Sequence, residues 1–257
     1  MVTYRISSLD ERREFYANEF NLNALQQWFG ARLPQFFTVD YGTETGLSTD
    51  PAKRGKIIIL QPNLALAALR KKLALIAPED VYYDTRIYKN VKDCFTCPQH
   101  PGFCADCPER VGQELVFDLD PENIDCPKCG KKKYPNFCNH CLKLSLQAAV
   151  KLGEALRDKG FRDIRHVYSG RGCHVHVTDL NAMKLSKEER IALTKDLRGF
   201  PMDPWVTTTK RLIRLPYSLH ASISRIVLPL TTEEAMRFDA ESDVRVLPRF
   251  LSEMCRK

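Results

Sequence analysis

The sequence predicts an α+β fold, on three observations. Apolar residues recur at helical spacing near residues 10–30, 62–77 and 142–159; short apolar or alternating runs of strand length lie between them; and a stretch rich in Cys, Pro and Gly, from Cys94 to Cys141, is interrupted only by one apolar-acidic run. At 257 residues, 44% hydrophobic and 28% charged, the chain can bury one substantial core, or a core with a small satellite, which excludes wholesale disorder and a fibrous fold.

Phe15, Tyr16, Phe20, Leu22, Leu25, Trp28 and Phe29 predict one or two amphipathic helices. Tyr41 to Gly55, with Gly42, Gly46, Pro51 and Lys53-Arg54, reads as irregular, and Ile57 to Leu60 as a short strand. A helix opens at Pro62-Asn63, turns Leu64, Leu66, Leu69, Leu73 and Leu75 to the core, and ends at Pro78. Val81 to Tyr88 has the aromatic and β-branched content of one strand, and Glu114 to Asp120 is another, set between two cysteine loops. Leu142 to Lys159 is a helix stopped by Gly160. Ile164 to Val167 and Cys173 to Val177 read as a hairpin-like pair around Ser169-Gly170-Arg171-Gly172. Ser186 and Glu189 form a capping box that starts a short helix to Lys195, and strands follow near Arg211 to Leu215 and at Arg225 to Leu230.

No stretch approaches the roughly 20 apolar residues of a membrane span. The start, Met1 to Arg13, has no apolar signal core, which predicts a chain that stays inside the cell. Thirty-nine Lys and Arg against 32 Asp and Glu give a net +7, a mild excess favouring polyanionic partners. If eight cysteines bind two Zn²⁺ as thiolates, eight negative and four positive charges take that +7 to +3, so bulk charge is a weak argument for nucleic acid.

Ten cysteines without an export signal read as metal ligands before disulfides. Cys94, Cys97, Cys104 and Cys107 form one four-thiolate set and Cys126, Cys129, Cys138 and Cys141 another. Each CxxC offers two sulfurs from one tight turn, and two turns complete a tetrahedron about Zn²⁺. Pairing within a set and pairing across the loops are both open, His100 and His140 are available substitutes, and an iron–sulfur cluster or a redox dithiol is the rival chemistry. With four protein ligands no position remains for water, so these zincs hold structure. Cys173 and Cys255 are left over as ordinary thiols.

In Glu114 to Asp120 alternation sends Leu115, Phe117 and Leu119 one way and Asp118 and Asp120 the other. Two carboxylates on one strand face repel unless cations sit between them, which is the ligand set of two-metal phosphoryl or nucleotidyl transfer; alone, a DxD is equally a strand end with two solvated aspartates. Ser169-Gly170-Arg171-Gly172-Cys173-His174 adds glycines that admit a ligand to the backbone and two phosphate donors. Asp203-Pro204-Trp205-Val206, followed by Lys210 to His220, sets another carboxylate beside cations and a histidine. Together they suggest a nucleoside triphosphate held at metals.

These segments, with Glu11 to Phe20, Ala77-Pro78 and Val81-Tyr82, Val167 to His174, and Lys210 to Pro216 through His220, resemble in order the catalytic small subunit of the archaeo-eukaryotic DNA primases, most closely its archaeal branch. The resemblance implies a primase catalytic core of two β-rich halves, one an RNA-recognition-like mixed sheet with flanking helices. It forms a single domain over 1–257 with zinc-binding insertions at 94–107 and 126–141. It implies that Asp118, Asp120 and Asp203 bind catalytic Mg²⁺ or Mn²⁺, and that Ser169, Arg171, His174, Arg214 and His220, with Arg211 a further candidate, bind the incoming nucleotide's phosphates. The implied activity is that of a DNA-directed RNA or DNA polymerase: template-directed primer synthesis on single-stranded DNA from NTPs or dNTPs. A 3′-hydroxyl attacks the α-phosphorus in line and pyrophosphate leaves. The implied setting is DNA replication in the cytoplasm, at the nucleoid, with a primase large subunit.

Three features depart from the family pattern. Relatives carry one zinc knob, matched by Cys126 to Cys141, so Cys94 to Cys107 is an addition. Only 28 residues separate His174 from Asp203, where relatives usually place a helical subdomain. Thr207-Thr208-Thr209 stands where archaeal relatives often have an acidic residue, and Ala221-Ser222 where a Gly or Ser and then Lys are common. The competing readings are a zinc-stabilised nucleic-acid-binding subunit without turnover and a primer-dependent repair polymerase of the same superfamily. Lys131-Lys132-Lys133 reads as a solvated run or a DNA phosphate contact, Trp205 and Tyr217 as core residues or base-stacking platforms, His176 as a hydrogen-bonded packing partner, and Glu114 as a surface residue at a strand start.

Overall fold

The computed structural model describes residues 4–42, 57–96, 108–129, 138–203 and 212–252, with only the backbone at 94–96. The chain divides into two compact units, one of Met1–Val111, Leu212–Val227 and Val244–Lys257, the other of Gly112–Arg211 and Leu228–Asp243.

In the first unit, α1 (Leu9–Glu14) starts from a capping box between Ser8 and Glu11. A π-helical turn, Phe15–Glu19, follows, closed by Phe20 N–H donating to Phe15 O at 2.9 Å, and then α2 (Leu22–Phe29). The turn packs Phe15, Tyr16 and Phe20 edge to face, with centroids 5.1 and 5.6 Å apart, and all three are buried. The aromatic spacing announces a helix without revealing the wide turn, because its ring closure depends on backbone bonds and not on side-chain type. Strands β1 (Phe37–Asp40), β2 (Ile57–Ile59), β3 (Asp80–Asp84) and β9 (Leu212–Arg214) form a sheet in the order β2-β1-β3-β9. Helix α3 (Leu66–Ile76) buries Leu69 and Leu73 and ends at Ala77 with a left-handed φ of 49°, just before Pro78.

The run expected as one strand is two, β3 and β4 (Arg86–Tyr88). Asp84 Oδ1 accepts from Arg86 N–H at 3.0 Å and Asp84 Oδ2 from the Tyr88 hydroxyl at 3.0 Å, a side-chain turn that ends the ladder. β4 pairs with β5 (Arg110–Gln113), and α4 (Val91–Thr96) lies between them in sequence. β10 (Leu219–His220) and β11 (Arg225–Ile226) form a short ribbon, and α9 (Arg249–Ser252) closes the described chain.

In the second unit β6 (Leu115–Leu119), β7 (Ile164–Tyr168), β8 (Cys173–Val177) and β12 (Leu228–Leu230) form a sheet in the order β12-β7-β8-β6. Both four-stranded sheets are antiparallel throughout, which corrects the expectation of a mixed sheet. Only β7 and β8 are joined by a tight hairpin-like link, across residues 169–172; β6 reaches its partner β8 through α5 and β7, and β12 pairs with β7 from far along the chain. Helix α5 (Asn139–Asp158) packs on β6, β7 and β8 through Leu142, Leu146, Ala149, Leu152 and Leu156 and stops before Gly160, whose φ is +96°. Short helices α6 (Leu180–Met183) and α7 (Lys187–Asp196) follow β8, the latter capped by Ser186 and Glu189 as the sequence predicts. The run Arg225 to Leu230 divides between β11 and β12, which belong to different sheets. Pro229 is tolerated because β12 is an edge strand. A last helix, α8 (Thr232–Arg237), starts from the capping box Thr231/Glu234. No described helix is long and apolar enough to cross a membrane.

Candidate active site

The register of the second sheet sorts its two faces. Phe117, Val175 and His166 lie in one row, and His166 Nε2 is 3.3 Å from Ala149 O of α5, so this row faces the helix. Asp118, His174 and Val167 form the next row and face the other way. His174 Nε2 lies 3.5 Å from Asp118 Oδ1, and one row further His176 Nδ1 is 2.8 Å from Glu114 Oε1. His176 therefore has the hydrogen-bonded role expected of it. Glu114 is no surface residue: its side chain is only 11% exposed.

Asp203 joins the sheet at its free edge. It makes an isolated antiparallel bridge with Asp118, its N–H donating to Asp118 O at 2.8 Å. Thus 84 residues of chain separate Asp118 from Asp203, yet one backbone bond makes them neighbours. Asp120 follows β6 in extended backbone and precedes the 3-10 turn Pro121–Asn123. All three aspartates are partly exposed.

The Ser169 to Gly172 loop packs against this strand. Ser169 N–H donates to Gly172 O at 3.1 Å, Gly172 N–H donates to Ser169 Oγ at 3.2 Å, and Gly170 takes a φ of +109°. A Cβ on Gly172 would stand 2.6 Å from Leu119 O and 3.0 Å from Asp120 Oδ1, so only glycine lets the loop lie this close to the carboxylates. Arg171 leaves the loop to ion-pair with Glu122, just past Asp120. Glu122 is a site residue that sequence reasoning missed; its position two after the DxD strand was the available signal.

Arg214 and His220 belong to the first unit, around Asp80. Arg214 donates to Asp80 Oδ1, Tyr82 donates its hydroxyl to Asp80 Oδ2 at 3.2 Å, and His220 Nδ1 lies 3.8 Å from Asp80 Oδ1. Burial pushes the Asp80 carboxyl up, against the opposing pull of the Arg214 charge. Asp80 was also missed: its strand looks like a core strand, and only the fold shows which cation it meets. Arg211, Trp205 and the Lys131 to Lys133 run lie outside the described residues, as do the sulfurs of Cys94, Cys97, Cys104 and Cys107.

Cys126, Cys129, Cys138 and Cys141 converge, their sulfurs all within 4.8 Å of one another, and Cys129 and Cys141 are 3.2 Å apart. Four convergent sulfurs fit the donor set of a tetrahedral Zn²⁺. In Cys126, where desolvation works the other way, hydrogen bonds from Cys141, Cys129 and the neighbouring backbone N–H groups bring the thiol down to about 7.

The family profile described as DNA primase small subunit matches residues 117–204, the segment that carries the three aspartates and the glycine loop. A DNA primase small subunit-like protein of Archaeoglobus fulgidus is 37% identical over 260 residues, covering 96% of this chain and 91% of that protein. The chain belongs to the DNA primase small subunit family. This is a family of nucleotidyltransferases. The small subunit PriS of Pyrobaculum calidifontis is 30% identical over 141 residues, and that of Pyrococcus abyssi 28% over 185; the matches span 42% and 46% of those proteins. This primase-family chain thus aligns with under half the length of either PriS protein. In fold it is similar to the polymerase domain of Mycobacterium tuberculosis ligase D, solved in complex with DNA. The TM-score is 0.52 at 14% identity, covering 100% of this chain and 96% of that one.

Proposed function

We propose that the chain catalyses template-directed nucleotidyl transfer on single-stranded DNA, extending or initiating primers from NTPs or dNTPs. The observation that carries the reading is the backbone bridge that sets Asp203 beside Asp118, two residues before Asp120, next to a glycine loop that a single methyl group would displace. Asp118, Asp120 and Asp203 would hold Mg²⁺ or Mn²⁺, which supplies the Lewis acidity that two-metal transfer to an α-phosphorus requires. The carboxylates fix that position because β6 and the Asp203 bridge fix their backbones. His174, held at Asp118, and Arg171, held by Glu122, supply donors to phosphate oxygens from a loop whose shape Ser169 and Gly172 set. Arg214 and His220 are assigned to the triphosphate by their motif, and Arg211 with them. Cys126, Cys129, Cys138 and Cys141 would hold a structural Zn²⁺, and Cys94, Cys97, Cys104 and Cys107 a second. By family, a primase large subunit and a setting in DNA replication are the natural partner and context.

The second reading is a primer-dependent polymerase. It is favoured by the compact link from His174 to Asp203, in which α6 and α7 replace the helical subdomain that the resemblance leads one to expect. The experiment is nucleotide incorporation on single-stranded DNA by the purified chain with Mg²⁺ or Mn²⁺, with and without a supplied primer, beside Asp118→Ala/Asp120→Ala. Products without a primer, from wild type only, support a self-sufficient primase. Extension of a supplied primer alone supports the second reading. With neither, the site does not turn over and the chain is a nucleic-acid-binding subunit.

A further inference from the structure

We propose that Asp80 is the positioning carboxylate of the nucleotide site, fixing the Arg214 guanidinium in the orientation in which it meets the triphosphate. The inference rests on the nucleotide-binding reading of Arg214 given above, and it adds a residue that lies in none of the motifs behind that reading.

β3 and β9 place Tyr82 directly opposite Arg214, and Asp80, two residues before Tyr82, shares that face. The carboxylate is divided between two donors: Arg214 Nη1 takes Oδ1, and the Tyr82 hydroxyl takes Oδ2 at 3.2 Å. The Tyr82 ring in turn lies under the guanidinium, 5.3 Å from centroid to Cζ. Asp80 thus holds the end of the arginine while its own second oxygen is anchored by the residue over which that arginine lies. His220, the other basic residue of the motif, is 3.8 Å from the same Oδ1 and has Ser222 Oγ 3.1 Å from its Nδ1.

A buried ion pair is poor value as a stabiliser, because desolvating both charges offsets most of their attraction and apolar residues of similar volume usually do as well. The Asp80 and Arg214 side chains are only 10% and 14% exposed, so the pair bears that cost. Its return is geometric. A guanidinium carries five N–H donors in a rigid fork, so an ion pair through one nitrogen does not exhaust its capacity for phosphate oxygens. An arginine already held loses little further freedom when the ligand arrives. The opposing effect is repulsion between Asp80 and the triphosphate. The sign of the Asp80 substitution therefore decides between positioning and mere proximity.

The test is single-nucleotide incorporation on a primed template by Asp80→Asn, Arg214→Gln, the double variant and Tyr82→Phe, with melting temperatures measured in parallel. Arg214→Gln is expected to raise the KM for nucleotide about tenfold, and Asp80→Asn about fivefold with little change in kcat. Tyr82→Phe should raise KM less, in the same direction. The double variant should have the KM of Arg214→Gln alone, since a residue acting through Arg214 has nothing left to act on. Multiplying effects in the double variant, or an unchanged or lowered KM in Asp80→Asn while Arg214→Gln raises it, would overturn the proposal. An unchanged KM in Arg214→Gln would instead reject the phosphate role of that arginine. Should Asp80→Asn fail to fold, Tyr82→Phe in the wild-type and Arg214→Gln backgrounds answers the same question: a rise in the first and none in the second supports positioning, and any other pattern rejects it.

Discussion

At Gly172 the site has no room for a side chain, since the atom a Cβ would meet at 2.6 Å is a backbone oxygen of β6 and cannot swing away. Gly172→Ala is expected to push the loop off the aspartate strand, lowering stability by about 1–3 kcal/mol and nucleotide incorporation with it; calorimetry and an extension assay check both. Cys173, next in the chain, is fully buried, and desolvation pushes its thiol up to about 12. Iodoacetamide near pH 8 should leave it unmodified in the native chain and alkylate it after unfolding. Because its folded pKa is the higher one, its contribution to stability is present below the unfolded value of about 9 and is lost as pH rises towards 12. The charged residues of the motifs were legible in the sequence because each sits in a short pattern. Their partners were not: Glu122 for Arg171, Glu114 for His176 and Asp80 for Arg214 come from other rows or other strands, and pairing across strands depends on register, which a local pattern does not contain.

Elements were legible where a local device marks them and obscure where distant bonds decide. The capping box at Ser186 shows the first case. The box at Thr231 starts a helix not expected from the sequence, and Thr231→Ala should cost about 1 kcal/mol in urea unfolding. Arg190 shows the second. On sequence it is one of several charges on a polar helix; in the fold it is buried, and its guanidinium donates to Ala182 O and Leu185 O of its own region, to Gln113 O at the end of β5 and to Glu114 O just before β6. It therefore ties α7 to the strand that carries Asp118. Arg190→Met keeps much of the volume and strands several carbonyls, so a loss of about 3 kcal/mol or more is expected, measured by denaturant unfolding. The splitting of Val81 to Tyr88 and of Arg225 to Leu230 has the same origin: composition marks both runs as extended, but the Asp84 turn and the change of sheet after β11 come from bonds that composition does not report.

For the whole molecule, the order of motifs along the chain was legible, and so was the α+β class; the resemblance implied two β-rich halves, but which segments build each of the two units was not legible, because each is assembled from segments far apart in sequence. Cys126 to Cys141 leaves the described second unit with a four-sulfur cluster at the start of α5. If it holds structure, Cys129→Ser should lower the zinc content by about one equivalent per chain and lower the melting temperature, as read by elemental analysis and calorimetry. The central claim, that Asp118, Asp120 and Asp203 form the centre of a nucleotidyl transfer site, is tested most directly by extension of a primed template by Asp118→Ala with Mg²⁺ or Mn²⁺, beside wild type of equal zinc content and melting temperature. A fall in incorporation of about a thousandfold or more, with the fold and zinc retained, is the predicted result; incorporation within a few fold of wild type would contradict the account.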